Sequence, residues 1–227
     1  MASGACDRRV LEVHDLGVVD YGTATRLQEA RVDACAQGAP DAIFLLEHPP
    51  VYTLGRGAEV RHLGSAAQTG IPIVRSARGG QVTYHGPGQL VAYPIVDLGR
   101  RGRDVRAYVS GLEDAVIRML GTLGLVGTRW PGNPGVWVAR RKIGSIGIAV
   151  RRWVTWHGVA LNVRAETAPF AAITPCGIAG LEMTSIEAEG VAVSMGRARA
   201  AFLDAFVDVF GYQGAGSVEH AASGASA

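Results

Sequence analysis

Two side chains thirty-four positions apart, Lys142 and Cys176, stand out as candidates for chemistry in this 227-residue chain. Of its 22 basic side chains, 21 are arginine and only Lys142 is lysine. Arginine has replaced lysine wherever a plain positive charge suffices. A guanidinium cannot be deprotonated in a protein, whereas an ammonium is a compact charge that responds to burial and neighbours. Lys142 follows Arg140 and Arg141 and opens the apolar run Ile143-Gly144-Ser145-Ile146-Gly147. That placement suits an amine used for proton transfer better than a lysine on a solvated strand end. Cys176 lies in Thr174-Pro175-Cys176-Gly177-Ile178, where proline stiffens and glycine opens the backbone, as a presented nucleophile requires. Of the other cysteines, Cys6 falls in a loose N-terminal end, and Cys35 reads as a small apolar group on a helix.

A second segment concentrates glycine around polar and aromatic residues: Arg78-Gly79-Gly80-Gln81-Val82-Thr83-Tyr84-His85-Gly86-Pro87-Gly88-Gln89. It lacks the Gly-Lys-Ser/Thr of a phosphate loop, and a strand rather than a helix follows it, unlike a dinucleotide fingerprint. The glycines permit sharp turns or close backbone approach at both ends. A further run, Arg100, Arg101, Arg103 and Arg106, is either solvated surface or a patch for a negatively charged protein. His157, alone on a strand, reads more readily as a hydrogen-bonded structural residue than as a catalyst.

These residues need a scaffold, and the periodicities supply one. Strands are expected at Val10–Val13, Asp41–His48, from Val51, at Ile71–Arg75 and at Leu90–Leu98. Gly135–Ala139, Ile143–Val150 and Trp153–Val163 predict a meander with Lys142 near a turn. Gly158 in the last of these leaves room for a ligand or a neighbouring backbone. Two further strands are expected near Thr184–Ala188 and Val191–Val193. A helix is expected from Tyr21 to Gln37 with Leu27, Ala30 and Ala34 inward. A second, capped by Asp104, runs to Leu123 with Val105, Tyr108, Leu112, Ala115 and Met119 inward. A third, capped by Ser194, buries Ala198, Ala201, Phe202, Ala205, Phe206 and Val209. Residues 1–9 are expected to be a flexible end, 10–213 a single domain and 214–227 a disordered tail. Apolar content of 48% and charged content of 19% describe a globular chain, and a net charge of +2 makes no case for nucleic acid. No apolar run is long enough for a bilayer, no secretory signal is evident, and three cysteines form no disulfide pattern. A cytoplasmic protein is expected.

Taken jointly, the motifs resemble the lipoyl(octanoyl) transferase family of lipoate biosynthesis. The resemblance rests on Arg78-Gly79-Gly80, Thr83-Tyr84-His85, Gly88-Gln89 and Tyr93; on Lys142-Ile143-Gly144-Ser145-Ile146-Gly147; on His157 through Asn162; and on Pro175-Cys176-Gly177. It runs from about Asp15 to Phe210. It implies a mixed α/β fold shared with biotin and lipoate ligases, a larger mixed sheet flanked by helices beside a smaller sheet. It further implies acyl transfer through a thioester on Cys176, with Lys142 favouring the thiolate. The donor would be octanoyl-acyl carrier protein, and the acceptor a lysine of a lipoyl domain on a 2-oxoacid dehydrogenase or glycine-cleavage subunit. The acyl pocket would be lined by Arg78, Gly79, Gly80, Gln81, Val82, Thr83, Tyr84 and His85, by Ser145, Ile146 and Gly147, and by Gly158, Val159 and Ala160. No cofactor, metal, nucleic acid or membrane is expected, and the protein is expected to act as a monomer.

The physics is compatible. A free thiol of pKa about 8.5 is only a few per cent thiolate at neutral pH. An ammonium about 4 Å away contributes up to roughly 4 kcal/mol at an effective dielectric of 20. Backbone amides near Gly177 or Gly147 are the hypothesised oxyanion donors. Two rivals stay open: an ATP-dependent lipoate or biotin ligase, which needs no thiol, and a non-catalytic acyl or lipoyl-domain binding module. No short-range ligand spacing favours a metal site built from His85, His157 and Cys176.

Overall fold

The apolar runs that punctuate the chain become the strands of a mixed sheet buried on both faces. The computed structural model describes residues 10–217. Its strands are β1 (Val10–Val18), β2 (Ala42–Glu47), β3 (Val51–Leu54), β4 (Ile73–Arg75), β5 (Val82–His85), β6 (Gln89–Ile95), β7 (Thr128–Trp130), β8 (Asn133–Val138), β9 (Arg141–Arg151), β10 (Val154–Asn162) and β11 (Gly214–Ser217). Its helices are α1 (Tyr21–Ala36), α2 (Val105–Thr122) and α3 (Met195–Phe210). Eight strands form the large sheet in the order β11-β1-β2-β6-β10-β9-β8-β7, and β4-β3-β5 form the small one. The pairs β11–β1–β2 are parallel, and β2–β6–β10–β9–β8–β7 are antiparallel.

Successive residues of a strand point to opposite faces, so a strand covered on both sides reads as a continuous apolar run. On β2, Ile43 and Leu45 enter a core shared with α2 and α3, whereas Phe44 and Leu46 enter a separate core under α1. Each fully buried Leu or Ile contributes about 1.5–3 kcal/mol relative to exposure. The helices begin on the expected caps. Asp104 accepts from the Ala107 amide (2.9 Å) and Ser194 from the Arg197 amide (3.2 Å), and Gly211 ends α3 in the left-handed conformation.

The expected meander is present, and a tight turn through Ala139 and Arg140 (φ 45° and 71°) delivers Lys142 to the start of β9. Four expectations are corrected. On α1 the buried positions are Tyr21, Ala24, Gln28, Val32 and Cys35; Ala30 is exposed, and Leu27 and Ala34 are half-buried. The stripe is turned by one residue, about 100°, because the Gln28 carbonyl is drawn inward to accept from the His157 amide at 2.7 Å. Thr184–Ala188 and Val191–Val193 are not strands. Met183 makes one bridge to Lys142, Ile186 and Val193 are buried as core residues, and a turn intervenes. Within the expected tail, Gly214–Ser217 pairs in parallel with β1. The rest of that tail and the N-terminal end with Cys6 lie outside the described residues.

Part of the arginine run is tied into the fold. Arg101 donates to the Phe210 carbonyl (2.8 Å) and Asp41 (3.2 Å) and lies over the Tyr212 ring, and Arg100 pairs with Asp97 at 2.8 Å. Arg103 and Arg106 are exposed. Among the described residues, no helix is long and apolar enough to cross a membrane.

Candidate active site

Lys142 is among the largest fully buried side chains, 1% exposed, at the second position of β9. Its backbone is clamped on the outer side by the 182–184 segment: the Lys142 amide donates to Glu182 (2.8 Å), and its carbonyl accepts from Thr184 (2.9 Å). The ammonium donates to the Pro134 carbonyl at 3.2 Å, lies 4.8 Å from the centre of the Trp137 ring, and reaches the Cys176 sulfur at 3.0 Å. No carboxylate lies within ion-pair distance of it among the described residues. A buried charge is costly without a counter-charge. The side-chain atom at hand is the Cys176 sulfur.

Cys176 sits on a 3₁₀ turn, Pro175–Gly177, with φ 59° and ψ 10°. A non-glycine residue in the left-handed region costs roughly 1–2 kcal/mol, and such strain is concentrated where a side chain must be presented. The turn is held by the Thr174 amide on the His62 carbonyl (2.8 Å) and by the Gly177 amide on the Thr174 carbonyl (3.1 Å). The second bond occupies the Gly177 N–H, so that amide is not a free oxyanion donor.

The path of the lysine side chain depends on a glycine. Gly135 has φ 140°, and a methyl group built there would lie 2.7 Å from Lys142 Cε and 2.6 Å from the Gly144 carbonyl oxygen. The buried Glu113 carboxylate on α2 holds the Gly135 amide at 3.0 Å. Gly135→Ala is therefore expected to displace the amine from the sulfur. It should lower turnover about 100-fold while the protein stays folded with a modest loss of thermal stability, readable from kcat and Tm measured together.

Lys142 and Cys176 open onto a cavity of about 330 Å³. Twelve of the expected pocket residues line it: Arg78, Gly79, Gly80, Gln81, Val82, Thr83, His85, Ser145, Ile146, Gly147, Val159 and Ala160. Tyr84 and Gly158 do not. Tyr84 lies on the other side of β5, packed with Tyr52 and Phe170. Gly158 is small for the neighbouring backbone, since a Cβ there would lie 2.4 Å from the Ala92 carbonyl oxygen on β6. Further lining comes from Tyr21, Tyr93, Val109, Asn133, Pro134, Ile148 and His157. Tyr93 and His157 were visible within the motifs, but Tyr21 and Val109 arrive from helices and carry no local signal.

Part of the cavity's polar wall is held by ordered hydrogen bonds. Arg78, 8% exposed, donates from Nη2 to the Thr53 carbonyl (2.7 Å) and hydroxyl (2.8 Å), and from Nη1 to the Gly79 carbonyl (3.0 Å). Burial disfavours its charge, and it has no carboxylate partner among the described residues. His85 is held well below the usual imidazole range by burial, then by His48 and Arg78. Burial also raises the Tyr93 hydroxyl well above the usual phenol range.

A large mixed sheet, a small three-stranded sheet and three helices, arranged in this order, define the fold of the lipoate and biotin protein ligases. The structure superposes on a Thermoplasma acidophilum bi-partite lipoate protein ligase with TM-score 0.69 and 17% identity, covering 93% of this chain and 87% of that one. It also superposes on lipoate-protein ligase A bound with ATP, with TM-score 0.68 and 16% identity, covering 92% and 89%. The lipoyl protein ligase A/B catalytic domain matches residues 20–207. Octanoyltransferases of Geobacter metallireducens and Syntrophotalea carbinolica are 48% and 47% identical, covering 78% and 84% of this chain and 82% and 90% of their own. The chain belongs to the octanoyltransferase family, within the lipoyl protein ligase A/B catalytic domain.

Proposed function

We propose that this protein takes an octanoyl group from octanoyl-acyl carrier protein onto Cys176 as a thioester and passes it to a lysine amine of a lipoyl domain. The observation that carries this reading is the 3.0 Å approach of the Lys142 amine to the Cys176 sulfur at a cavity of about 330 Å³. In the first half, the Cys176 thiolate attacks the donor's thioester carbon. The tetrahedral intermediate collapses with cleavage of the donor C–S bond, and the carrier thiol leaves with a proton from Lys142. In the second half, the acceptor amine attacks the enzyme thioester, neutral Lys142 takes the amine's proton, and the Cys176 thiolate departs. Thioester to thioester is nearly isoenergetic and thioester to amide is downhill, so no nucleotide is required.

The cavity matches the cargo. Burying about seven aliphatic carbons at ~0.8 kcal/mol each supplies roughly 5–6 kcal/mol of gross binding. Each carbon then changes affinity only about fourfold, so chain length must be set by the wall. Ala160 lines that wall and is 6% exposed. Ala160→Leu is expected to shift preference from octanoyl toward hexanoyl donors by about tenfold in a competition assay, since added methylenes overpack a filled site. The exposed Arg103 and Arg106 supply positive charge for an acidic carrier protein.

The competing reading is an ATP-dependent ligase. It is disfavoured by a sulfur placed against the essential amine, for which adenylate chemistry has no use. The test is transfer without nucleotide: octanoyl-acyl carrier protein and a lipoyl domain should yield the octanoylated domain, and free octanoate with ATP should not. Transfer from octanoate and ATP alone would reverse the reading.

A further inference from the structure

Three histidines lie around the cavity's inner wall, and two of them have their hydrogen bonds fixed. His48 Nδ1 donates to the Val19 carbonyl at 2.6 Å, so its Nε2 accepts the Tyr93 hydroxyl at 2.8 Å. His85 Nδ1 donates to Gln89 Oε1 at 2.7 Å, leaving Nε2 to accept from the Thr53 hydroxyl at 3.3 Å. His157 is different. It is 2% exposed, lines the cavity, and neither of its ring nitrogens makes a hydrogen bond among the described residues.

Its position is nonetheless tightly determined. The ring stacks on Trp156 (4.4 Å, 23°), lies parallel to Tyr21 (6.4 Å, 9°) and meets Tyr93 edge-on (5.8 Å). Its backbone is left-handed, φ 57°, in the middle of β10, and its amide is held by Gln28. Burial, with Arg78 and His48, lowers its pKa to about 3, so the ring is neutral and offers one donor and one acceptor. A buried imidazole with both nitrogens unused is a marked exception in a folded protein.

The spacing relates this residue to the sulfur. Gly135, which packs against the end of the Lys142 side chain, is paired with Ser145; Ser145 is paired with Ala160, and His157 with Ile148. From Ser145 to Ile148 is three steps along β9, about 10 Å. An extended eight-carbon chain, with seven carbon–carbon bonds, advances roughly 9 Å. Cys176 and His157 line the same cavity, so an acyl group that extends from the sulfur along β9 brings its far end to His157.

We propose that His157, supported by Tyr93, forms a hydrogen-bonding end wall of the acyl site, which accepts medium-length acyl groups ending in a hydroxyl and rejects longer plain hydrocarbons. The proposal rests on the acyl-transfer reading above. A hydroxyl at the chain terminus gives the imidazole a partner, whereas extra methylenes press carbon against it and leave it unpaired, a difference of about five- to hundredfold.

The test compares octanoyl, 8-hydroxyoctanoyl and decanoyl thioesters of acyl carrier protein as donors to the full-length protein, reading kcat/KM and the mass of the Cys176 adduct. The wild-type protein should use 8-hydroxyoctanoyl within tenfold of octanoyl. His157→Leu should lower that ratio at least fivefold and raise the decanoyl-to-octanoyl ratio. His157→Asn, which tolerates the left-handed backbone and keeps a donor and an acceptor, should preserve the wild-type ratio. If His157→Leu does not fold, Tyr93→Phe should lower the hydroxyoctanoyl ratio instead. Wild-type rejection of 8-hydroxyoctanoyl by more than tenfold, or ratios unmoved in a folded His157→Leu or Tyr93→Phe protein, overturns the end wall alone. Absence of any octanoyl adduct on Cys176 overturns both the end wall and the transfer reading.

Discussion

Cys176→Ser is expected to lower transfer from octanoyl-acyl carrier protein by about 10³–10⁴-fold, with binding of the lipoyl domain unchanged. The substitution is nearly isosteric, so the left-handed turn at 175–177 and its bonds to the His62 segment should persist. What is lost is the sulfur nucleophile; a thiol is intrinsically far more nucleophilic than a serine hydroxyl, which stays protonated at neutral pH. Steady-state transfer measured with intact mass spectra checks the claim. A serine variant with full transfer activity would instead favour a binding module in which the sulfur is structural.

Removing the amine should cost nearly as much. A charge pair about 4 Å apart interacts by about 4 kcal/mol at an effective dielectric of 20, close to 10³ in rate if thiolate formation limits loading. Lys142→Met is expected to show that loss in the first-half reaction. Methionine fills the same buried volume against Trp137, so folding should survive. Lys142→Arg should not rescue it, retaining under about 1% of kcat. The guanidinium is bulkier than the ammonium that already lies close to Gly135, and it cannot give up a proton to serve the second half-reaction. Pre-steady-state loading and single-turnover transfer separate the two losses. Full loading by Lys142→Arg with failed transfer would assign the lysine only to the second step.

Much of this arrangement could be read from residue types alone, and the parts that could not share a physical cause. Strands buried on both faces announce themselves as apolar runs, and Asp104 and Ser194 cap helices through contacts three residues away. The unique lysine and the Pro-Cys-Gly turn are likewise local signals. Features made by distant neighbours were not legible. Gln28 turns inward because of a backbone amide on β10, and Arg101 leaves the surface for Asp41 and the Phe210 carbonyl. Gly214–Ser217, a glycine-rich stretch without strand-forming side chains, is ordered by pairing with β1. Tyr84 falls within the glycine-rich motif but its ring packs on Tyr52 and Phe170 away from the cavity, whereas Tyr21 enters the cavity from the first turn of α1. Gly135 carries no local signal on its strand; its role comes from the Lys142 side chain that passes close to it.

The most direct measurement isolates the protein after reaction with octanoyl-acyl carrier protein, then mixes it with an unmodified lipoyl domain in a rapid-quench experiment. The account predicts an octanoyl adduct on Cys176 that disappears as octanoyl-lysine forms on the domain, at a rate no slower than steady-state turnover. An adduct that persists while turnover proceeds, or turnover with no adduct at Cys176, would contradict it.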